Sequence, residues 1–111
     1  MGIKFEKKNG VGCLTVDDEM TIYNAAEQKT EFLGHLSDCQ EVELDLSSVT
    51  EIDSAGLQLL MVMKSEAQRL DHEIRFIKHS QPVVEIFELL KLAAHFGDPI
   101  VIPSEIGRAH V

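Results

Sequence analysis

The sequence predicts an α/β domain in which a mixed sheet of four to five strands carries helices mainly on one face. The first reason is the order of elements, because strand-like and helix-like segments alternate after an opening hairpin, which implies parallel crossovers. The second is the strict polar and apolar alternation of Glu41–Leu46, which indicates a sheet with one wet face. The third is size, since 111 residues, 44% of them apolar, suit a single compact core.

The amino-terminal half is predicted to contain a strand over Lys4–Lys8 and a second strand over Val11–Val16. A loop over Asp17–Met20 and a helix over Thr21–Asp38 follow. Asn9 and Gly10 join the two strands as a tight hairpin turn, because both residue types tolerate positive φ. Apolar residues recur from Ile22 onward at spacings of three and four, which is the period of a helix. Thr21 or its neighbour can cap the start of this helix.

The carboxyl-terminal half is predicted to continue with a strand over Glu41–Leu46, a helix over Ser54–Leu70 and a strand over Ile74–Ile77. A last helix from Ser80, extended by Leu92–Phe96, and a short edge strand over Ile100–Ile102 follow. Ser80 is expected to cap the last helix, with Pro82 in the first turn, where a missing N–H group is tolerated. One domain is therefore expected over residues 3–102, followed by a flexible tail over residues 103–111.

The charge of the chain excludes several classes of partner. The formal net charge is −9 and the pI is about 4.9, which argues against nucleic acids and against anionic membrane surfaces as partners.

The longest apolar run, Leu59–Met63, is far shorter than the roughly 20 residues of a membrane helix, and no signal peptide is recognised. Cys13 and Cys39 are expected to be unpaired thiols. We therefore expect a cytoplasmic protein that does not insert into membranes and is a monomer when free.

Catalytic motifs are absent from the sequence. It contains no glycine-rich phosphate loop, no His-Glu-x-x-His sequence and no paired cysteines, and its five histidines show no ligand spacing. Ser54 could be imagined as a nucleophile, but no His or Lys base is linked to it by sequence. We expect a protein that is not an enzyme and has neither a metal nor a cofactor.

The most informative stretch, Asp45–Leu57, reads as a strand, a turn and the first turn of a helix. Asp53 and Ser54 are both common N-cap residues, so a capping role alone can explain either one. Gly56 lowers helix propensity and clears steric room in the first helical turn. A helix start is also a place where an added phosphate is tolerated and changes what can dock there.

The helix that follows is unusually apolar at its beginning, because six of the seven residues from Leu57 to Met63 are apolar. A helix on one face of a sheet needs only a stripe about 100° wide. The apolar side chains beyond this stripe either pack between the sheet and neighbouring helices or contact a partner protein. The second interpretation requires that one of Leu59, Met61 and Met63 is exposed, while Leu60 faces the core.

Asp53-Ser54-Ala55-Gly56 resembles the Asp-Ser-x-Gly signature of the STAS family, the domain of anti-sigma factor antagonists and sulfate-transporter tails. The resemblance covers about Ile3–Ile102, and the family's order of elements agrees with the one predicted above. It implies that Ser54 is a phospho-acceptor and that the neighbouring residues Asp53, Ala55, Gly56 and Leu57 contribute to partner binding.

A second patch of the resemblance lies between the second strand and the first helix and adds three partner-binding candidates, Asp18, Thr21 and Tyr23. Many STAS antagonists have Gly-Glu-x-Asp in this loop, whereas here Asp18 replaces the glycine and Thr21 stands where the acid often is. Residue chemistry alone also explains this patch as a polar loop with a helix cap.

The resemblance implies a phosphorylation-gated binding module whose partner is a GHKL-type serine kinase or anti-sigma factor, bound when Ser54 is unphosphorylated. Two alternatives stay open. One is a STAS subunit of a lipid-transport ABC complex, and the other is a STAS signalling protein of a chemotaxis gene cluster that acts without a sigma factor.

Overall fold

The computed structural model describes residues 2–95 of the chain. Its elements are β1 (Ile3–Lys8), β2 (Val11–Val16), α1 (Ala25–Asp38), β3 (Glu41–Leu46), α2 (Ser54–Leu70), β4 (Glu73–His79) and α3 (Gln81–His95). The strand predicted at Ile100–Ile102 and the tail predicted over residues 103–111 lie outside the described residues.

The four strands form one mixed sheet in the order β1-β2-β3-β4, with β1 antiparallel to β2 and the other two pairs parallel. The hairpin turns at Asn9 and Gly10, whose φ angles are 52° and 83°. Both residues are therefore in the left-handed region, as the predicted tight turn requires. The predicted α/β class and mixed sheet are confirmed.

All three helices pack on one face of the sheet. In β2, β3 and β4 the buried apolar side chains are those of even-numbered residues, which pack against the helices in one core. They are Leu14, Val16, Val42, Leu44, Leu46, Ile74 and Phe76. The odd-numbered side chains point to the opposite face, where Arg75 forms ion pairs with Glu43 at 3.2 Å and with Glu73 at 3.1 Å. The alternation of β3 had predicted this wet face.

One helix start and one helix cap differ from the prediction. α1 begins at Ala25 instead of Thr21, because residues 21–24 form a polar turn in which the Thr21 N–H donates to Asn24 Oδ1 at 3.0 Å. Ser80 directly precedes α3, but its buried hydroxyl has no hydrogen-bond partner among the described residues, so its side chain does not cap the helix. By contrast, α2 has the predicted bounds, and left-handed Asp71 ends it.

Candidate functional site

The candidate site is formed by two loops at the carboxyl end of the parallel strands. The β2–α1 loop and the β3–α2 loop run side by side, and a parallel bridge joins Met20 to Ile52. Met20 N–H donates to Glu51 O at 2.7 Å, and Thr50 N–H donates to Asp18 O at 3.1 Å. The two patches singled out in the sequence therefore form one continuous surface.

Asp53 connects these two loops to the start of α2. Its Oδ1 accepts hydrogen bonds from Ala55 N at 2.9 Å and Gly56 N at 3.1 Å, which caps the helix. Its Oδ2 accepts a hydrogen bond from Ile22 N at 3.0 Å, on the other loop. One carboxylate thus positions both the signature turn and the loop beside it.

Partial burial is the largest single influence on the pKa of Asp53 and raises it, but hydrogen bonds from several backbone N–H groups together lower it. The net pKa lies below the ordinary value of 3.8. A lowered pKa in the folded state means that ionised Asp53 stabilises the fold in full above about pH 3.8, and that this contribution is lost as the pH falls through the folded-state pKa.

We expect Asp53→Ala to lower the free energy of unfolding at neutral pH by about 1–2 kcal/mol, because the helix cap and the link between the loops are lost together. Urea unfolding of both proteins at several pH values measures this. The difference should be constant near neutral pH and shrink below about pH 3.8. Asp17→Ala, at an exposed position of the same loop region, is the control and should have little effect. A difference that does not depend on pH would contradict the assigned role of the carboxylate.

Ser54 is the first residue of α2, and its side chain is exposed, so the predicted solvent accessibility of this serine is confirmed. The side chain of Asp53, and not the Ser54 hydroxyl, caps the helix. The hydroxyl is therefore not required to stabilise the helix start. It is available to solvent at the positive end of the dipole of a 17-residue helix.

Two neighbouring apolar side chains, Ile22 and Tyr23, stand out from the β2–α1 loop with exposed fractions of 70% and 88%. Tyr23 was a candidate from the sequence. Ile22 was missed, because its spacing assigned it to the buried stripe of a helix that in fact begins three residues later. The hydrogen bond from Ile22 N to Asp53 fixes this pair relative to the turn that carries Ser54.

Thr21 is buried, with an exposed fraction of 5%, which corrects its assignment to a contact surface. Its hydroxyl donates to Glu19 Oε2 at 2.5 Å. The carbonyl oxygen of Glu19 in turn accepts from Asn24 Nδ2 at 2.6 Å and from Gln28 Nε2 at 2.9 Å. Thr21 is thus part of a half-buried polar cluster that shapes the loop presenting Ile22 and Tyr23.

Gly56 is also buried, so its contribution is close packing of the two loops and not an exposed contact. A Cβ atom at this position would lie 2.0 Å from the carbonyl oxygen of Met20 and 2.8 Å from Ile52 Cγ1. Asp18, Ala55 and Leu57 are half-buried at the rim of the surface. The residues on or at the rim of this surface are Asp18, Ile22, Tyr23, Asp53, Ser54, Ala55 and Leu57.

The apolar surplus of α2 is core packing. Leu59 and Met63 are buried, and Met61 is half-buried against the core, so the expectation that one of these three is exposed was wrong. Leu60 faces the core, as predicted. The exposed apolar residue in this part of α2 is Val62, with an exposed fraction of 37%. The neighbouring helices cover more of the circumference of α2 than the sheet alone would.

Other functional features are sparse in the part of the chain that the structure describes. Over residues 2–91, whose side chains the structure describes, His, Cys, Asp and Glu form no group arranged to hold a metal ion. Within the same residues, each helix is too short or too polar to cross a membrane. Cys13 and Cys39 are free thiols.

The fold is that of a small α/β domain with an exposed hydroxyl at the start of its second helix. A family model described as "Mlab, STAS domain" matches residues 3–102. The chain belongs to the STAS domain family. No curated protein matches the chain.

Solved structures agree on the fold. The Thermotoga maritima protein TM1081 superposes with a TM-score of 0.72 at 20% identity, over 83% of this chain and 80% of that one. An anti-sigma factor antagonist from Mycobacterium paratuberculosis gives a TM-score of 0.72 at 18% identity, over 96% and 91%. The anti-sigma factor antagonist SpoIIAA in its unphosphorylated form gives 0.66 at 12% identity, over 83% of each chain. Identities this low establish the architecture, and the function is argued below from the site.

Proposed function

We infer that this protein is a cytoplasmic, non-enzymatic binding module that captures a serine kinase or anti-sigma factor while Ser54 is unphosphorylated and releases it when Ser54 carries a phosphate. The observation that carries this inference is the exposed Ser54 hydroxyl at the start of α2. It lies on the same turn as Asp53, which fixes the exposed Ile22–Tyr23 pair of the adjacent loop.

The unphosphorylated surface suits a partner with an apolar recess and a basic rim. Ile22 and Tyr23 offer apolar area, and rigid aromatic side chains are frequent anchors of protein interfaces. Around them the two loops carry carboxylates, at Asp17, Asp18, Glu19, Glu51 and Asp53. Complementary charge on the partner would accelerate association and fix its orientation.

Phosphorylation would act on binding and not on folding. A phosphate adds about 1.5–2 negative charges at neutral pH. A helix N-terminus stabilises such an anion by about 0.3–1 kcal/mol, so the fold tolerates it. In a complex, however, the same dianion would lie where Ser54 meets the apolar recess of the partner, inside the basic rim, and it would have to be desolvated there without a cation to pair with it, which is unfavourable.

Phosphate mapping tests the acceptor. After incubation of the full chain with ATP and cytosol from the source cells, we expect phosphate on Ser54. Ser54→Ala should remove it, and Ser48→Ala, a change at an exposed serine of the same loop, should not. Phosphate found only on Ser47, Ser48 or Thr50 would contradict the proposal.

A second candidate function is that of a subunit in a lipid-transport ABC complex. The observation that favours it is the exposed apolar pair Ile22 and Tyr23, which a permanent partner would keep covered. In this role Ile22 and Tyr23 would pack permanently against the partner, and Ser54 would only contribute packing. Identification of an ABC ATPase as the bound partner, with binding unchanged by phosphate on Ser54, would select this function.

A further inference from the structure

The outer side of β1 is an open sheet edge in the part of the chain that the structure describes. β1 is the terminal strand of the sheet and pairs with β2, and within residues 2–95 no strand pairs with its other side. The side chains from Lys4 to Lys8 are all exposed. An open edge offers unpaired backbone groups on which another strand can add.

The hairpin geometry tells which backbone groups face this edge. In a hairpin with a two-residue turn, the residues that flank the turn, here Lys8 and Val11, exchange hydrogen bonds. Even-numbered residues of β1 therefore direct their N–H and C=O groups to β2. The hydrogen bond from Asp17 N to Gly2 O at 2.5 Å agrees with this alternation. Ile3, Phe5 and Lys7 consequently direct theirs outward.

We propose that a second copy of this chain pairs antiparallel with β1 through these outward groups, with Phe5 opposite Phe5 across a two-fold axis. Ile3 then lies opposite Lys7, and the outward groups of both strands are paired. Lys4 of each copy lies opposite Glu6 of the other, in a non-hydrogen-bonded position where side chains approach most closely. The symmetry produces this Lys–Glu pair twice.

Charge selects this register over its neighbours. A shift by two residues in one direction places Glu6 opposite Glu6, and a shift in the other direction places Lys4 opposite Lys4. Like charges directly opposite each other are destabilising. Within the domain, the cross-strand neighbours of Lys4 and Glu6 on β2 are Thr15 and Cys13, neither of which is an Asp, Glu, Lys or Arg residue. Glu6 pairs with Lys8 of its own strand at 3.7 Å, and the second copy adds the cross-strand pair with Lys4 that β2 does not supply.

The helix-covered side of the edge offers apolar area to the same contact. Phe5 is 38% exposed and stacks on the ring of His35, with 4.0 Å between the ring centroids. Pairing of two copies brings the two Phe5 side chains together beside their His35 partners. The two-fold axis also places the two Ser54 sites at opposite ends of an eight-stranded sheet, so the dimer presents two accessible sites. This dimer departs from the monomer expected from the sequence, and it does not depend on the function proposed above.

Reversal of single charges tests the pairing by analytical ultracentrifugation of the full chain. The salt concentration should be physiological, because each copy carries a formal charge of −9. The wild type is expected to dimerise as its concentration rises. Lys4→Glu and Glu6→Lys should each weaken the dimer about tenfold or more, because two attractive pairs become two repulsive pairs. Lys7→Glu makes the same charge change as Lys4→Glu at a position without a charged neighbour across the interface, and it should leave the dimer nearly unchanged.

The decisive sample is an equimolar mixture of the Lys4→Glu and Glu6→Lys proteins. Neither should dimerise well alone, yet together they restore two opposite-charge pairs and should associate at least as tightly as the wild type. Circular dichroism confirms that each variant is folded, as expected for exposed positions. A wild type that stays monomeric up to its solubility limit would overturn the proposal. A dimer that withstands both single reversals, or a mixture that fails to associate, would do the same.

Discussion

Gly56→Ala is expected to lower the free energy of unfolding by about 3 kcal/mol, although alanine is the better helix former. The new Cβ would lie 2.0 Å from the carbonyl oxygen of Met20 and 2.9 Å from its carbonyl carbon. These are backbone atoms, and the bridge between Met20 and Ile52 holds them in place. The two loops would have to separate, which also disrupts the hydrogen bond between Ile22 and Asp53.

Gly34→Ala is the matched control for this substitution. Gly34 lies inside α1, and a Cβ there would meet nothing within 4 Å. Removal of a helical glycine at such a position should raise the free energy of unfolding by about 0.5–1 kcal/mol. Urea denaturation of the three proteins measures both changes. A Gly56→Ala protein as stable as the wild type would show that the loops are not closely packed at this point.

Leu60→Glu is expected to have the largest effect on stability. Leu60 is fully buried, and the substitution places a carboxylate in the apolar core where no cation is paired with it. The cost is about 4 kcal/mol or more, which approaches the whole stability of a typical domain. The variant should be largely unfolded at 25 °C by circular dichroism.

Val62→Glu introduces the same side chain two residues further along α2. Val62 is 37% exposed, so its carboxylate can stay hydrated and the free energy of unfolding should change by about 0.5 kcal/mol or less. Because both variants place glutamate in the same helix, a difference between their free energies of unfolding reflects burial and not helix propensity. If both variants fold with equal stability, Leu60 cannot lie in the core.

Much of the fold could be predicted from the sequence because local chemistry and tertiary structure agree. α2 has the predicted bounds, since Asp53 is a strong cap at one end and the chain leaves the helix at Asp71 at the other. The alternation of β3 is likewise a direct consequence of one covered and one wet face. Where interactions that the apolar period does not register decide the local structure, the prediction failed, as it did for the start of α1, which the polar turn of residues 21–24 shifts to Ala25.

The site was only partly predictable for the same reason. Ser54 and Asp53 are marked by a local pattern, whereas the contact between the two loops depends on residues more than thirty positions apart, such as Ile22 and Asp53. Ile22 is exposed because side chains in the polar turn around Thr21 form hydrogen bonds with backbone groups, so that the helix begins only after this turn. The spacing of apolar residues in the sequence does not predict such a turn.

We propose above that a phosphate on Ser54 controls partner binding while the fold stays intact. The most direct measurement compares full chains with serine and with phosphoserine at position 54, each used to capture proteins from source-cell cytosol that are then identified by mass spectrometry. Urea unfolding should show that the two chains differ in stability by no more than about 1 kcal/mol. We predict that the serine form captures a serine kinase or anti-sigma factor and that the phosphoserine form does not. Equal capture of that partner by both folded forms would contradict the account.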